Sequence, residues 1–126
     1  MGIVHHANYL HLFERGRVLW MEEHHRSYTD YIERGVHLAV TQVKVDYHAS
    51  AGFDNRLTVT TWLDWVRGAS LAMSYHIYEG SRLTTSGTTE HAAVNEKGRV
   101  RRIPREDQTR LRALACHNET SSLRPK

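Results

Sequence analysis

The residues best suited to chemistry stand at the front of the chain. The opening stretch, MGIVHHANYLHLFERGRVLW, sets His5, His6 and Asn8 at the entry to an apolar helical run, with Glu14 inside it. The first backbone N–H groups of a helix have no intrahelical partner and sit at the positive end of its dipole. The helix entry at His6 is therefore a place where negative charge is held by backbone alone. His5 has the ordinary pKa of a general base near neutrality, although no orienting partner is evident in the sequence. Asn8 reads first as a helix cap, with contact to a bound group as the alternative. Glu14 stands three residues before Arg17, and pairing across that spacing is its expected role, with chemistry as the alternative.

Two other features invite a chemical reading. Ten histidines raise the question of a metal, but no HExxH occurs, and His24-His25 after Glu22-Glu23 suits an exposed helix end. Adjacent helical residues do not face one another, so no metal site is expected. The stretch KGRVRRIPREDQTRLR, Lys97 to Arg112, holds much of the net charge of +3. A solvated basic face is the plain reading, since Lys and Arg stay exposed readily. Phosphate or nucleic-acid contact is the alternative, and nucleic acid would require affinity that falls steeply with salt. Nucleic acid is not the expected partner.

These residues need elements to hold them. From Asn8 to about Arg26, Tyr9, Leu12, Phe13, Gly16 and Trp20 recur at the spacing of one helical face. Leu10, Val18, Leu19 and Met21 widen that face until the helix reads as buried on most sides. Gly16 lowers helix propensity there, and close packing against a sheet would explain it. A short second helix is framed by Ser27 as cap, with Asp30 three residues on, and by Gly35 at its end. Up to Pro104 the chain alternates with period two. Val43, Val45 and Tyr47 form one inward set, Leu57 to Trp65 a second, and Ala69 to Ile77 a third. Turn signals at 51–55, Arg67-Gly68, Glu79-Gly80-Ser81 and Asn95–Gly98 make the neighbouring strands antiparallel hairpins. Pro104 fits the first turn of a last helix through Leu114. Tyr47, Trp62 and Trp65 read as core before they read as a pocket.

The layout is α+β: one long buried helix, then a curved antiparallel sheet wrapping it. Its exposed edges would be covered by pairing in a homodimer or homotetramer. With 40% apolar and 25% charged residues in 126, one domain over residues 1–115 is expected, with a disordered tail at 116–126. There is no apolar run of membrane-spanning length and no signal-peptide layout, so the cytoplasm is the default address and no membrane partner is expected. Cys116, the one cysteine, excludes an internal disulfide.

The stretches GIVHHANYLHLFERGR, VDYHASAGFDNRLTVTTWLDWVRGASLAMSYHIYEG and GTTEHAAVNEKGRVRRIP, in that order, resemble the hot-dog-fold acyl-CoA thioesterases of the 4-hydroxybenzoyl-CoA thioesterase-like branch. The resemblance implies hydrolysis of an acyl-CoA to a free carboxylic acid and CoA, with no separate cofactor. It maps the oxyanion-holding backbone N–H onto His6 and sets His5 and Asn8 beside the thioester. A helix glutamate does the chemistry in a different branch, which keeps Glu14 in view. Arg67, in the VRGAS turn, matches the first of a basic run that contacts CoA phosphates, mostly replaced here by Gly68 and Ala69. An ordinary hairpin arginine is the alternative for Arg67; Ser70 in that turn, and Arg101 and Arg102 from the basic stretch, are further CoA-binding candidates beside it. The branch also carries an N-terminal strand and a catalytic Asp that would fall two residues before Met1. Both are absent from this sequence; a start upstream of Met1 is the expected reason, with a protein that lacks its family's main catalytic residue as the alternative. A non-catalytic acyl-CoA or acyl-carrier binding module on the same fold is the alternative function.

Overall fold

A computed structural model describes residues 6–49, 56–115 and 120–123, with the side chains of 6–8 and 120–123 left aside. Helix α1 (His6–His24) is followed by α2 (Tyr28–Glu33). Strands β1 (His37–Tyr47), β2 (Leu57–Arg67), β3 (Ser70–Glu79) and β4 (Arg82–Val94) come next, then α3 (Arg105–Ala115) and the short β5 (Thr120–Leu123). The strands form one antiparallel sheet in the order β1-β4-β3-β2-β5. Within the segment expected to be a disordered tail, β5 therefore pairs with β2.

The caps follow the sequence. The backbone N–H of Asp30 donates to Ser27 Oγ at 3.1 Å, and Gly35 ends α2 with φ of +80°. Gly16 is the close approach of α1 to the sheet. A methyl group added there would lie 2.5 Å from Thr61 Oγ1 and 3.2 Å from Val59 Cγ1, so glycine sets how near the helix can sit.

The core lies between α1 and the sheet. Tyr9, Phe13, Trp20 and Met21 pack with Val59, Leu63, Leu71, Met73, Tyr75 and Ile77. Two expectations of inward-facing residues fail here, for separate reasons. The β2–β3 register shifts between Leu63 and Trp65, so Val66 is buried instead of Trp65. In β1, Val43 and Tyr47 are exposed, because α1 lies over β2, β3 and β5 rather than over this edge. The helix is likewise buried on one face only: Leu10 is exposed and Val18 and Leu19 are half-buried. In this chain α1 is amphipathic, where the sequence reads as apolar on most sides.

Candidate functional site

The offset of α1 leaves a groove between the helix and the bare inner side of β1. Leu10, Phe13, Glu14 and Arg17 line it from the helix, Val40 and Val43 from β1, and Thr89 from β4; its volume is about 310 Å³. Its floor is fixed by packing. The Phe13 ring stacks on Tyr75 with centroids 4.4 Å apart and planes 11° from parallel. Gly87 makes room for it, since a Cβ there would fall 2.6 Å from the Phe13 ring. Behind Phe13 runs a buried polar chain. The Tyr75 hydroxyl lies 2.6 Å from Thr89 Oγ1, which lies 2.8 Å from His91 Nε2. Arg17, 6% exposed, brings its guanidinium beside this chain. Burial, then the Arg17 charge, pushes the His91 imidazole down to about 3, so it is neutral at any ordinary pH. Burial raises the Tyr75 phenol above its usual value.

The residues expected from sequence fall in two places. His6 is the first residue of α1 and Asn8 lies in its first turn, at the end of the sheet where the Tyr9 ring meets Tyr47 edge-on at 5.3 Å. His5 lies outside the described residues. Glu14 lines the groove, but not as expected: its carboxylate is 4.0 Å from His11 Nδ1, and no ion pair joins it to Arg17. The reason is that Arg17 turns inward to the sheet while Glu14, 58% exposed, stays at the rim.

The CoA-binding candidates gather at the other end of the sheet. The Ile103 N–H donates to the Gly68 carbonyl at 3.0 Å, Ala93 to Ala69 at 2.7 Å, and Arg101 to Ala93 at 2.8 Å. The β2–β3 turn, with Arg67 and Ser70, is thereby stitched to the segment holding Arg101 and Arg102. Arg67 sits over the Trp65 ring at 4.4 Å, and the Arg101 guanidinium reaches the Gly35 carbonyl at 3.5 Å. Both ends of β1 mark the separation. His37 pairs with Val94 at the basic end and Tyr47 with Thr85 at the helix-entry end, a span of about 34 Å at strand rise. Within one chain, the helix entry and the basic cluster do not meet.

With that geometry in view, relationships to known proteins become specific. A model of the thioesterase superfamily matches residues 1–86 of this chain. The chain belongs to the thioesterase superfamily. It is 31% identical over 98 residues to the putative acyl-CoA thioesterase YneP of Bacillus subtilis, covering 77% of this chain and 71% of that protein. It is 33% identical to the acyl-CoA thioester hydrolase YbgC of Escherichia coli over 60% of this chain and 57% of that one. Among solved structures, a DHNA-CoA thioesterase from Staphylococcus aureus superposes with a TM-score of 0.84 at 26% identity, over 93% of this chain and 84% of that one. A probable thioesterase from Bartonella henselae gives 0.75 at 31% identity, over 82% and 86%. The hot-dog assignment made on sequence motifs is thus correct.

Sequence reasoning on this superfamily member missed Arg17, Tyr75, Thr89 and His91 as groove-side groups. Arg17 is visible in the sequence as the last residue of Phe13-Glu14-x-x-Arg17, but that spacing points it to Glu14 and not to the sheet. The other three carry no local signal, because strand register alone brings them together: Tyr75 pairs with Gly87, and Thr89 and His91 follow at steps of two along β4. Among the described residues there is no cluster of three metal-ligating side chains, and no helix is long and apolar enough to cross a membrane.

Proposed function

We propose that this chain is an acyl-CoA thioesterase that hydrolyses a thioester to a free carboxylic acid and CoA. The observation that carries the reading is the groove that opens along α1 from Leu10 to Arg17, one turn beyond the helix entry, in a chain of the thioesterase superfamily. The acyl group lies in the groove and its thioester carbonyl reaches the α1 entry. There the His6 backbone N–H, with the helix dipole behind it, holds the developing oxyanion. The family resemblance assigns Asn8 and His5 to the neighbourhood of the carbonyl. Glu14 stands eight residues beyond His6, about 12 Å along the helix axis, so within one chain it lines the acyl part of the groove and does not reach the thioester. The free acid and the CoA thiol leave as products.

The active unit is a homodimer or homotetramer with the sheet curving around α1. Two observations support this. The inner side of edge strand β1 is bare, with Val40 and Val43 exposed beside Leu10. The helix entry and the basic cluster of Arg67, Ser70, Arg101 and Arg102 lie at opposite ends of one chain. A second copy paired antiparallel along β1 would bring its basic end to the first copy's helix entry, so that the CoA phosphates are held across the interface.

The test is hydrolysis of a panel of acyl-CoAs by this chain, followed with a thiol-detecting reagent, beside Glu14→Gln. Turnover of acyl-CoA by the wild type, kept within about threefold in Glu14→Gln, is the expected result. A fall of at least hundredfold in Glu14→Gln would put the base on that side chain and overturn this placement. Binding of acyl-CoA without turnover by either protein replaces the enzyme with an acyl-CoA or acyl-carrier binding module.

A further inference from the structure

The groove ends on a cation that forms no ion pair among the described residues, the nearest carboxylate influence being Asp64, felt at the Tyr75 phenol. Arg17 is 6% exposed, and its Nε finds no hydrogen-bond partner among the described residues. No described carboxylate lies within 4.0 Å of its guanidinium, and Glu14, one turn earlier, faces His11 instead. The described groups beside it, the Tyr75 phenol and the His91 imidazole, are neutral. Burying an unpaired ion is costly, and such groups are normally found with an anion or a metal. Here the partner has a way in, because Arg17 itself lines the groove, together with Thr89 at the floor and Leu10, Val40 and Val43 at the mouth.

We infer that Arg17 is a specificity residue whose guanidinium receives a carboxylate at the far end of the acyl chain, so that the groove takes mono-CoA thioesters of dicarboxylic acids. This rests on the acyl-CoA reading above. The apolar mouth fits the methylene chain, and the buried fork at the floor fits the terminal carboxylate, a match in charge and shape. The span is also suitable. His6 and Arg17 are separated by about 16 Å along the helix axis, and a helical side chain leans back toward the N-terminus. The acyl group that joins them therefore has several methylenes between its thioester and its carboxylate.

The test uses non-hydrolysable thioether analogues of adipoyl-CoA and hexanoyl-CoA, which share chain length and differ in the terminal group. Dissociation constants are measured by calorimetry on the full chain, so the readout does not depend on turnover. The wild type is expected to prefer the adipoyl analogue at least tenfold. Arg17→Met should reduce that preference to within twofold while leaving hexanoyl binding within threefold, and Arg17→Lys should restore part of it. Should Arg17→Met fail to fold, Arg17→Lys and the exposed rim variant Val43→Trp still decide. Val43→Trp fills the groove and should weaken both analogues at least tenfold. Equal binding of the two analogues by the wild type overturns the inference. So does a preference that survives Arg17→Met, or unchanged binding in Val43→Trp. If hexanoyl-CoA is hydrolysed all the same, the thioesterase reading stands and only the carboxylate preference falls. If neither analogue binds and no acyl-CoA is hydrolysed, both fall together.

Discussion

Substituting Gly16 by alanine tests the contact that sets α1 on the sheet. A Cβ at this position would sit 2.5 Å from Thr61 Oγ1 and 3.2 Å from Val59 Cγ1. Both neighbours are β-branched and buried, Val59 at 0% exposure and Thr61 at 3%, so neither has room to swing aside. Overpacking of this kind costs about 1–3 kcal/mol. Alanine returns about 0.5–1 kcal/mol of helix propensity. The expected net loss is about 1–2 kcal/mol, read as a lower urea midpoint with an unchanged slope and followed by the fluorescence of the tryptophans, Trp20 among them. A double-mutant cycle sharpens the test. Thr61→Ala removes the clashing hydroxyl, which is itself buried without a hydrogen-bond partner among the described residues. Gly16→Ala should therefore cost at least 1 kcal/mol less in that background than in the wild type. A Gly16→Ala protein as stable as the wild type, or strictly additive costs in the cycle, would refute the idea that this glycine sets the approach of α1.

Two further predictions concern the buried charges under the helices. Asp107, fully buried, accepts from Arg26 Nη2 at 2.9 Å, Arg26 Nε at 3.1 Å and the Tyr31 hydroxyl at 2.9 Å, tying α3 to α2 and to the end of α1. Asp107→Asn should cost about 3 kcal/mol in urea unfolding at pH 7, since it strands Arg26 against a neutral amide; a loss under 1 kcal/mol would show the cluster to be ornamental to stability. Burial first, with the charges of Arg26 and Arg110, outweighs Asp107 and pushes His25 down to about 4, while burial pushes His91 down to about 3. Below pH 6.5 the unfolded chain then binds protons that the folded chain refuses, so stability is fully present above 6.5 and falls as pH drops toward 4. Asp107 shifts the same balance lower down. Burial raises its carboxyl, the hydrogen bonds from Arg26 and Tyr31 overcome that, and its stabilisation is lost only as pH falls below the ordinary carboxylate range. Unfolding free energies from urea titrations at pH 7.0, 6.0 and 5.0 should decline steadily, by a few kcal/mol in total, and a flat profile over that range would contradict the buried neutral histidines.

Much of this fold is legible in the sequence because its signals are local. The Ser27 cap, the Gly35 stop, the Gly68 and Gly80 turns at positive φ and the start of α3 after Pro104 each depend on a few neighbouring residues. What is not legible depends on where one element lies across another. Period-two patterning in β1 identifies which side faces inward, but not that α1 would lie toward β2 and leave that side open. Nor does it reveal the register shift that turns Trp65 out and Val66 in. The tail gave no apolar alternation to mark β5, since four residues of Thr, Ser and Leu gain a place only by pairing with β2.

The candidate site divides along the same line. His6 and Asn8 are readable at the helix entry because a helix start announces itself, and Arg67 and Ser70 because a hairpin does. Glu14 and Arg17 illustrate the limit. Their spacing permits an ion pair on an isolated helix, yet the two side chains part because one of them lies on the face that meets the sheet. Burial then changes what Arg17 means. On a solvated helix face it would be a screened surface charge of little consequence. At 6% exposure, beside two neutral groups and at the floor of a groove, it is a buried cation with no ion-pair partner among the described residues, which is why the groove is proposed to take a carboxylate.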